Sequence, residues 1–240
     1  MAYNYLDLVN EVNRRLNEVE LTSSNFANAV GFYGQVKDSV NSAIRDINHI
    51  HYEWPFNHVL AEETLSTGVT RYAFPTDANT IDFDTFRVKE DSTFGNNTKK
   101  LAVTSYEDHL SNAVDQEYSS DTSKLGVPLR VFHCPGLEYG VSPAPDHDYT
   151  VFYEYYRIPV DLESYSDVPS IPERFRHVII DGAMFYAYMF RGNEQSANIA
   201  KAKFEEGVKR MRTMLVNRYT YMRSGTIKPA KATAFGDRVK

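Results

Sequence analysis

Apolar residues recur at helical spacing along the first fifty residues, in two stretches that a polar break at residues 22–25 separates. The first stretch predicts a helix over residues 4–20, capped by Asn4 or Asp7, and the second predicts a helix over residues 27–50. Because the break is short, we expect the two helices to pair antiparallel. Their apolar stripes comprise Leu8, Val9, Val12, Leu16 and Val19, followed by Phe32, Val36, Val40, Ile44 and Ile47.

The pattern changes at Trp54-Pro55-Phe56, because the residue before a proline is disfavoured in helical dihedral angles. One helical insertion is predicted over residues 106–113, capped by Thr104 or Ser105, and the polar stretch 115–126 is predicted to be a loop. The remaining spacing is typical of an antiparallel sheet, a sandwich or a small barrel. Its β-like runs cover residues 58–65, 70–74, 80–90, 99–104, 129–134, 137–141 and 149–157.

The last third of the chain returns to helical spacing. Pro172 marks the first turn of a helix that ends at Arg191-Gly192, and Asn193 is the expected cap of a longer helix. After Tyr221 the periodicity ends. The stripes of the two helices are Phe175, Val178, Ile179, Phe185 and Met189, then Ala197, Ala200, Phe204, Val208, Met211 and Leu215.

This order of elements predicts an α+β fold. The N- and C-terminal helix pairs, residues 1–54 and 171–221, are expected to form one antiparallel helical bundle. An antiparallel β-sandwich or barrel domain, residues 55–170, is inserted between them. Residues 222–240 form an extended C-terminal tail.

Charge is divided unevenly over the 240 residues, whose net charge is −6. Residues 201–240 carry a net charge of +8, so residues 1–200 carry −14. A body this acidic is not expected to bind a nucleic-acid backbone through general attraction. The single cysteine, the lack of a signal peptide and the lack of an apolar run of ~18 residues predict a protein that is made in a reducing cytoplasm without membrane contact.

Candidate metal ligands occur in two short clusters. His49 and His51, followed by Glu53, end the second helix, and Asp146-His147-Asp148 lies in a turn after two prolines. Neither cluster has a second ligand set at a recognisable distance, so capping and turn chemistry are the favoured roles.

No catalytic pattern stands out from the sequence. Cys134 is predicted to be a small core thiol, because no helix N-terminus is placed to activate it. The chain contains neither a Gly-x-Ser-x-Gly motif nor a phosphate-binding glycine loop. Acidic residues on β-like segments leave a carbohydrate-cleaving pair open: Glu62, Glu63, Asp82 and Asp84. The acids Asp161, Glu163 and Asp167 are scattered through a loop and form no defined pair.

A series of residues in fixed order carries a family resemblance. The series is Pro143-Ala144-Pro145-Asp146, Tyr149, Tyr153-Glu154-Tyr155-Tyr156, Pro159, Asp161, Ile171-Pro172-Glu173, Phe175, Gly182-Ala183, Tyr186 and the small-residue helix from Ala197. In this order the stretch from Pro143 to Leu215 resembles the C-terminal half of phage head-to-tail adaptor proteins, which include the tail tubular A proteins of short-tailed phages. The first half of the chain adds the paired N-terminal helices and the Trp54-Pro55-Phe56 segment that leads into the sheet. With these the resemblance covers most of residues 4–218.

The resemblance implies a non-enzymatic ring, dodecameric, that sits under the portal and surrounds a channel through which DNA passes without sequence-specific binding. It implies a protomer of helical bundle and β-sandwich, no cofactor or metal, and a place at the head-to-tail junction of a virion assembled in the host cytoplasm. The implied partners are the portal protein and tail nozzle or tail-fibre proteins. Because such proteins dock on the portal through helix ends and C-terminal extensions, the implied portal-binding residues are Arg223, Lys228, Lys231, Phe235 and Arg238.

Two alternatives stay open at this point. A carbohydrate-binding or carbohydrate-cleaving tail module would use the acids and aromatics of the β-domain, including Tyr153 and Tyr155. If the protein is instead a more distal tail-tube subunit, removal of residues 223–240 should leave portal binding unaffected.

Overall fold

The computed structural model describes residues 3–92, 95–115 and 122–215, which adopt an α+β fold. The helices are α1 (Tyr5–Arg15), α2 (Phe32–Ile50), α3 (Tyr106–Asn112), α4 (Arg176–Phe190) and α5 (Glu194–Leu215). The strands are β1 (His58–Leu65), β2 (Arg71–Ala73), β3 (Ala78–Ser92), β4 (Gly95–Lys100), β5 (Ala102–Thr104), β6 (Arg130–Cys134), β7 (Glu138–Ser142) and β8 (Tyr149–Arg157). Within the described ranges, no helix is long and apolar enough to cross a membrane.

Three of the predicted helix caps are confirmed. The side chain of Asn4 accepts a hydrogen bond from the Asp7 backbone N–H at 2.9 Å, and Ser105 accepts one from Asp108 at 3.1 Å. Asn193 likewise accepts from the Ser196 N–H at 3.1 Å, at the start of α5. Each cap supplies an acceptor to a helix N–H that has no partner within the helix.

Both N-terminal helices are shorter than predicted. α1 ends at Arg15 because Asn17 takes a left-handed conformation with φ of 56°, which leaves Val19 exposed and outside the stripe. α2 begins at Phe32 rather than near residue 27, because Gly31 has φ of 62° and cannot continue a right-handed helix.

The strands form two sheets of four, ordered β1-β8-β3-β4 and β2-β7-β6-β5. One alternative of the prediction, the barrel, is excluded, and one feature, the antiparallel direction of every pair, is wrong. The described strands form no closed barrel, since each sheet keeps two edges, and β5 pairs with β6 in the parallel direction. Parallel pairing is possible there because α3 and the following residues separate β5 from β6 and bring the chain back to the same end of the sheet.

Two hydrophobic cores divide the described residues. One contains residues of α1, α2, α4 and α5, so the first and last parts of the chain share a core. The other lies between the sheets and is rich in aromatic rings, among them Phe86, Tyr139 and Tyr153. The chain passes between the cores twice, between Trp54 and Val59 and again between Tyr155 and Leu162.

Candidate functional site

The predicted portal-binding residues lie outside the described residues. They are Arg223, Lys228, Lys231, Phe235 and Arg238, all in the predicted tail 222–240. The other candidates lie within the described residues, so their contacts can be examined one by one.

The two histidine clusters serve as turn and packing residues. The ring of His51 packs edge-on against Trp54 with ring centroids 5.0 Å apart, and burial, helped by Arg212, lowers the pKa of His51. In the turn, Asp146 accepts hydrogen bonds from Tyr149 at 2.8 Å and from His147 at 2.9 Å. Across the part of the chain that the structure describes, no three His, Cys, Asp or Glu side chains are grouped to hold a metal ion.

The candidate nucleophile and one candidate acid belong to the β-core. Cys134 is fully buried at the end of β6, as predicted for a core thiol. Glu63 on β1 accepts hydrogen bonds from Tyr139 at 2.7 Å and Tyr153 at 3.2 Å. Because β1 and β7 belong to different sheets, the Glu63 carboxylate links the two sheets rather than facing a substrate.

The aromatic side chains of β8 alternate in burial. Tyr149, Tyr153 and Tyr155 point into the β-core, and the ring of Tyr153 stacks on Phe86 at 4.6 Å with an interplanar angle of 3°. Burial raises the pKa of three tyrosine hydroxyls that belong to or pack against this core. The pKa of Tyr72 rises to about 12, and those of Tyr139 and Tyr153 also lie above their usual value. The Tyr153 and Tyr155 rings are thus core residues and cannot serve as a stacking platform for sugars or bases.

A polar network holds the first passage between the cores. The Trp54 indole N–H donates to the backbone carbonyl of Ile47 at 2.9 Å, which keeps the ring buried against the end of α2. Beside it, Asn57 donates to Asn48 at 2.6 Å and accepts from Ser170 at 3.1 Å. Ser170 follows the second passage and precedes α4, so this network ties the first passage to the segment that leads into α4.

The second passage is fixed to α2 by two pairs of contacts. Arg45 contacts Asp161 through two hydrogen bonds of 2.8 and 2.6 Å, which hold the pKa of the Asp161 carboxyl below its usual value. One turn earlier, Asn41 donates to the carbonyl of Leu162 at 3.0 Å and accepts from its N–H at 3.1 Å. Asp161 is among the residues that carry the family resemblance, whereas Asn41 and Arg45 were not predicted from the sequence, although Asn41 and Asn48 recur seven residues apart along α2.

Several of the residues that carried the family resemblance lie at or next to these passages. Trp54 lies on the first passage, Pro159 and Asp161 lie on the second, and Ile171 follows with its side chain fully buried in the helical core. These residues thus lie where the chain leaves the helical core and where it re-enters it.

Comparison with known proteins agrees with the resemblance. A family model described as SU10 adaptor protein matches residues 3–228, a range that includes every helix and strand defined above. The comparison with curated proteins found no match.

Proposed function

Because the chain belongs to the SU10 adaptor protein family, a family of phage structural proteins, we propose that it is a head-to-tail adaptor that joins the portal to the tail as a ring. The observation that carries this proposal is the family match over residues 3–228, which spans both cores and both passages between them. In this role the protein acts by shape and by interface chemistry, without a catalytic step.

The charge distribution supports a conduit for DNA. Residues 1–200 carry a net charge of −14, so a ring of such bodies would not accumulate contacts to phosphates. Binding of a protein to duplex DNA gains affinity mainly from cations that displace counterions. A channel lined by an acidic body would let DNA pass without retaining it.

The two cores support the protomer architecture that we propose. Residues 1–54 and 171–221 would form the helical bundle, and residues 55–170 would form a β-sandwich inserted between the two helix pairs. The shared helical core and the separate core between the sheets are what this division requires.

We further propose that the tail, residues 222–240, contacts the portal through Arg223, Lys228, Lys231, Phe235 and Arg238. This segment carries a net charge of +4, opposite to the acidic body of its own chain. The protein would then be a virion component at the head-to-tail junction, with the portal on one side and tail nozzle or tail-fibre proteins on the other.

Light scattering of the full chain, alone and mixed with the cognate purified portal, tests the adaptor role. We expect the mixture to contain a complex whose mass equals one portal plus a ring of this protein. A chain that leaves the portal mass unchanged at micromolar concentrations would overturn the proposal. The buried positions of Tyr153 and Tyr155 argue against the carbohydrate alternative, which in this experiment would leave the portal unbound.

A further inference from the structure

The sheet β1-β8-β3-β4 has two open edges. β1 pairs along its whole length with β8, from His58 opposite Tyr156 to Leu65 opposite Tyr149, without a bulge. Among the described residues, no strand pairs with the other side of β1 or with the other side of β4. An open edge presents unpaired N–H and C=O groups that can pair with another strand. The eight residues of β1 include no proline that would block such pairing.

The two edges carry opposite charge. Glu62 is exposed on β1, whereas Lys99 and Lys100 are exposed on β4. Glu62 and Lys100 end the same row across the sheet, in which Phe152 and Arg87 lie between them. The row therefore runs from an acid at one edge to a base at the other.

The internal contacts of these residues leave the edges available. The neighbouring acid Glu63 is engaged by two tyrosines inside the protein, so Glu62 is the carboxylate that faces outward on β1. Lys100 contacts Asp84 at 3.4 Å, but both side chains are at least half exposed. An exposed pair of this kind contributes at most about 1 kcal/mol, so Lys100 exchanges partners at little cost.

We propose that β1 of one copy pairs with β4 of the next, so that this sheet continues from subunit to subunit around the ring. The proposal rests on the ring proposed above and names the surface that closes it. Every neighbour in the sheet is antiparallel, so β1 and β4 run in opposite directions. A copy that is rotated about the ring axis therefore meets its neighbour in antiparallel register, with Glu62 opposite Lys100.

Charge selects this head-to-tail contact over a two-fold dimer. Pairing β1 with a second β1 would bring glutamates together, and pairing β4 with a second β4 would bring lysines together. Like charges that face each other across strands are destabilising. A head-to-tail contact whose rotation closes generates a ring, whereas a two-fold contact stops at a dimer.

Charge reversal and rescue test the pairing. Glu62→Lys and Lys100→Glu are each expected to raise the concentration for half-assembly of the portal-bound ring by about tenfold, which corresponds to ~1.4 kcal/mol. The double variant should return to within about threefold of the wild type. Arg130→Glu is the matched control, because Arg130 is exposed but lies on β6, whose two sides are both paired. Thermal unfolding of each variant checks that the fold is retained.

A cysteine pair gives a second, geometric readout. The chain with both Glu62→Cys and Lys100→Cys should form an oxidised ladder of multimers on a denaturing gel, whereas Glu62→Cys alone should stay monomeric. Within one copy the two positions are three strand spacings apart, ~14 Å, which is too far for an internal disulfide. The native Cys134 is buried, so it should add no cross-link.

The outcomes separate this inference from the adaptor role. A wild-type ring on the portal that both single reversals leave intact, or that the cysteine pair fails to cross-link, overturns edge pairing and leaves the adaptor role standing. A wild-type chain that forms no ring on the portal overturns both.

Discussion

At the scale of single residues, buried asparagines replace backbone pairing where the chain is irregular. Asn41 supplies both a donor and an acceptor to the backbone of Leu162, and Asn10 does the same for Leu21, at 2.8 and 2.7 Å. A loop that is buried beside a helix has no strand to satisfy its N–H and C=O groups. The side-chain amide of asparagine also carries a donor and an acceptor, so it satisfies the two backbone groups that a neighbouring strand would otherwise pair with.

Replacing Asn41 with alanine is expected to lower the free energy of unfolding by about 2 to 4 kcal/mol, because two buried backbone groups of Leu162 lose their partner. Urea unfolding measures the change. Asn112→Ala is the control, since the Asn112 side chain donates to the Asp108 carbonyl at an exposed site, and about 0.5 kcal/mol or less is expected there. Similar losses in the two variants would contradict this role for Asn41.

At the scale of elements, the close approach of three helices depends on a glycine. A Cβ atom at Gly182 on α4 would lie 2.8 Å from the Cβ of Ala43 on α2 and 2.9 Å from the ring of Phe204 on α5. The absence of a side chain at this position therefore lets the three helices pack together. Gly207 on α5 is less crowded, with Val178 the nearest side chain at 3.0 Å.

Gly182→Ala is expected to destabilise the protein by about 1 to 3 kcal/mol, since the added methyl group must displace a helix or the Phe204 ring. Gly207→Ala should be close to neutral, because the gain of ~1 kcal/mol in helix propensity offsets a small shift of Val178. Thermal unfolding of the two variants side by side makes the comparison. Equal midpoints would show that α2, α4 and α5 are not held at their separation by this glycine.

At the scale of the whole molecule, an acidic body and a basic C-terminal segment belong to one chain. If the tail contacts the portal, the variant with Lys228→Glu and Lys231→Glu should bind immobilised portal about tenfold or more weakly. Surface plasmon resonance with the full chain measures this. The variant with Lys124→Glu and Lys209→Glu changes the net charge equally at exposed sites outside residues 222–240 and should bind like the wild type. Unchanged binding of the tail variant would remove the tail from the interface.

The sequence by itself determined the features that depend on near neighbours. The caps Asn4, Ser105 and Asn193 each contact a residue three positions ahead, and the strand predicted over residues 149–157 is present with buried and partly buried side chains in alternation. These features follow from helix and strand periods, which a local stretch of chain contains in full.

Only the tertiary structure decided which distant segments meet. It set the sheet order and the parallel pairing of β5 with β6, in which paired residues are 28 positions apart. It also attached Leu162 to Asn41, which is 121 positions away. Local pattern also placed Val19 in a helix that Asn17 ends. Hydrophobic pattern records which residues are buried but not against what, because burial of an apolar face gains a similar free energy from any apolar partner. The choice among partners is made by shape and by buried polar groups, which act only once the chain is folded.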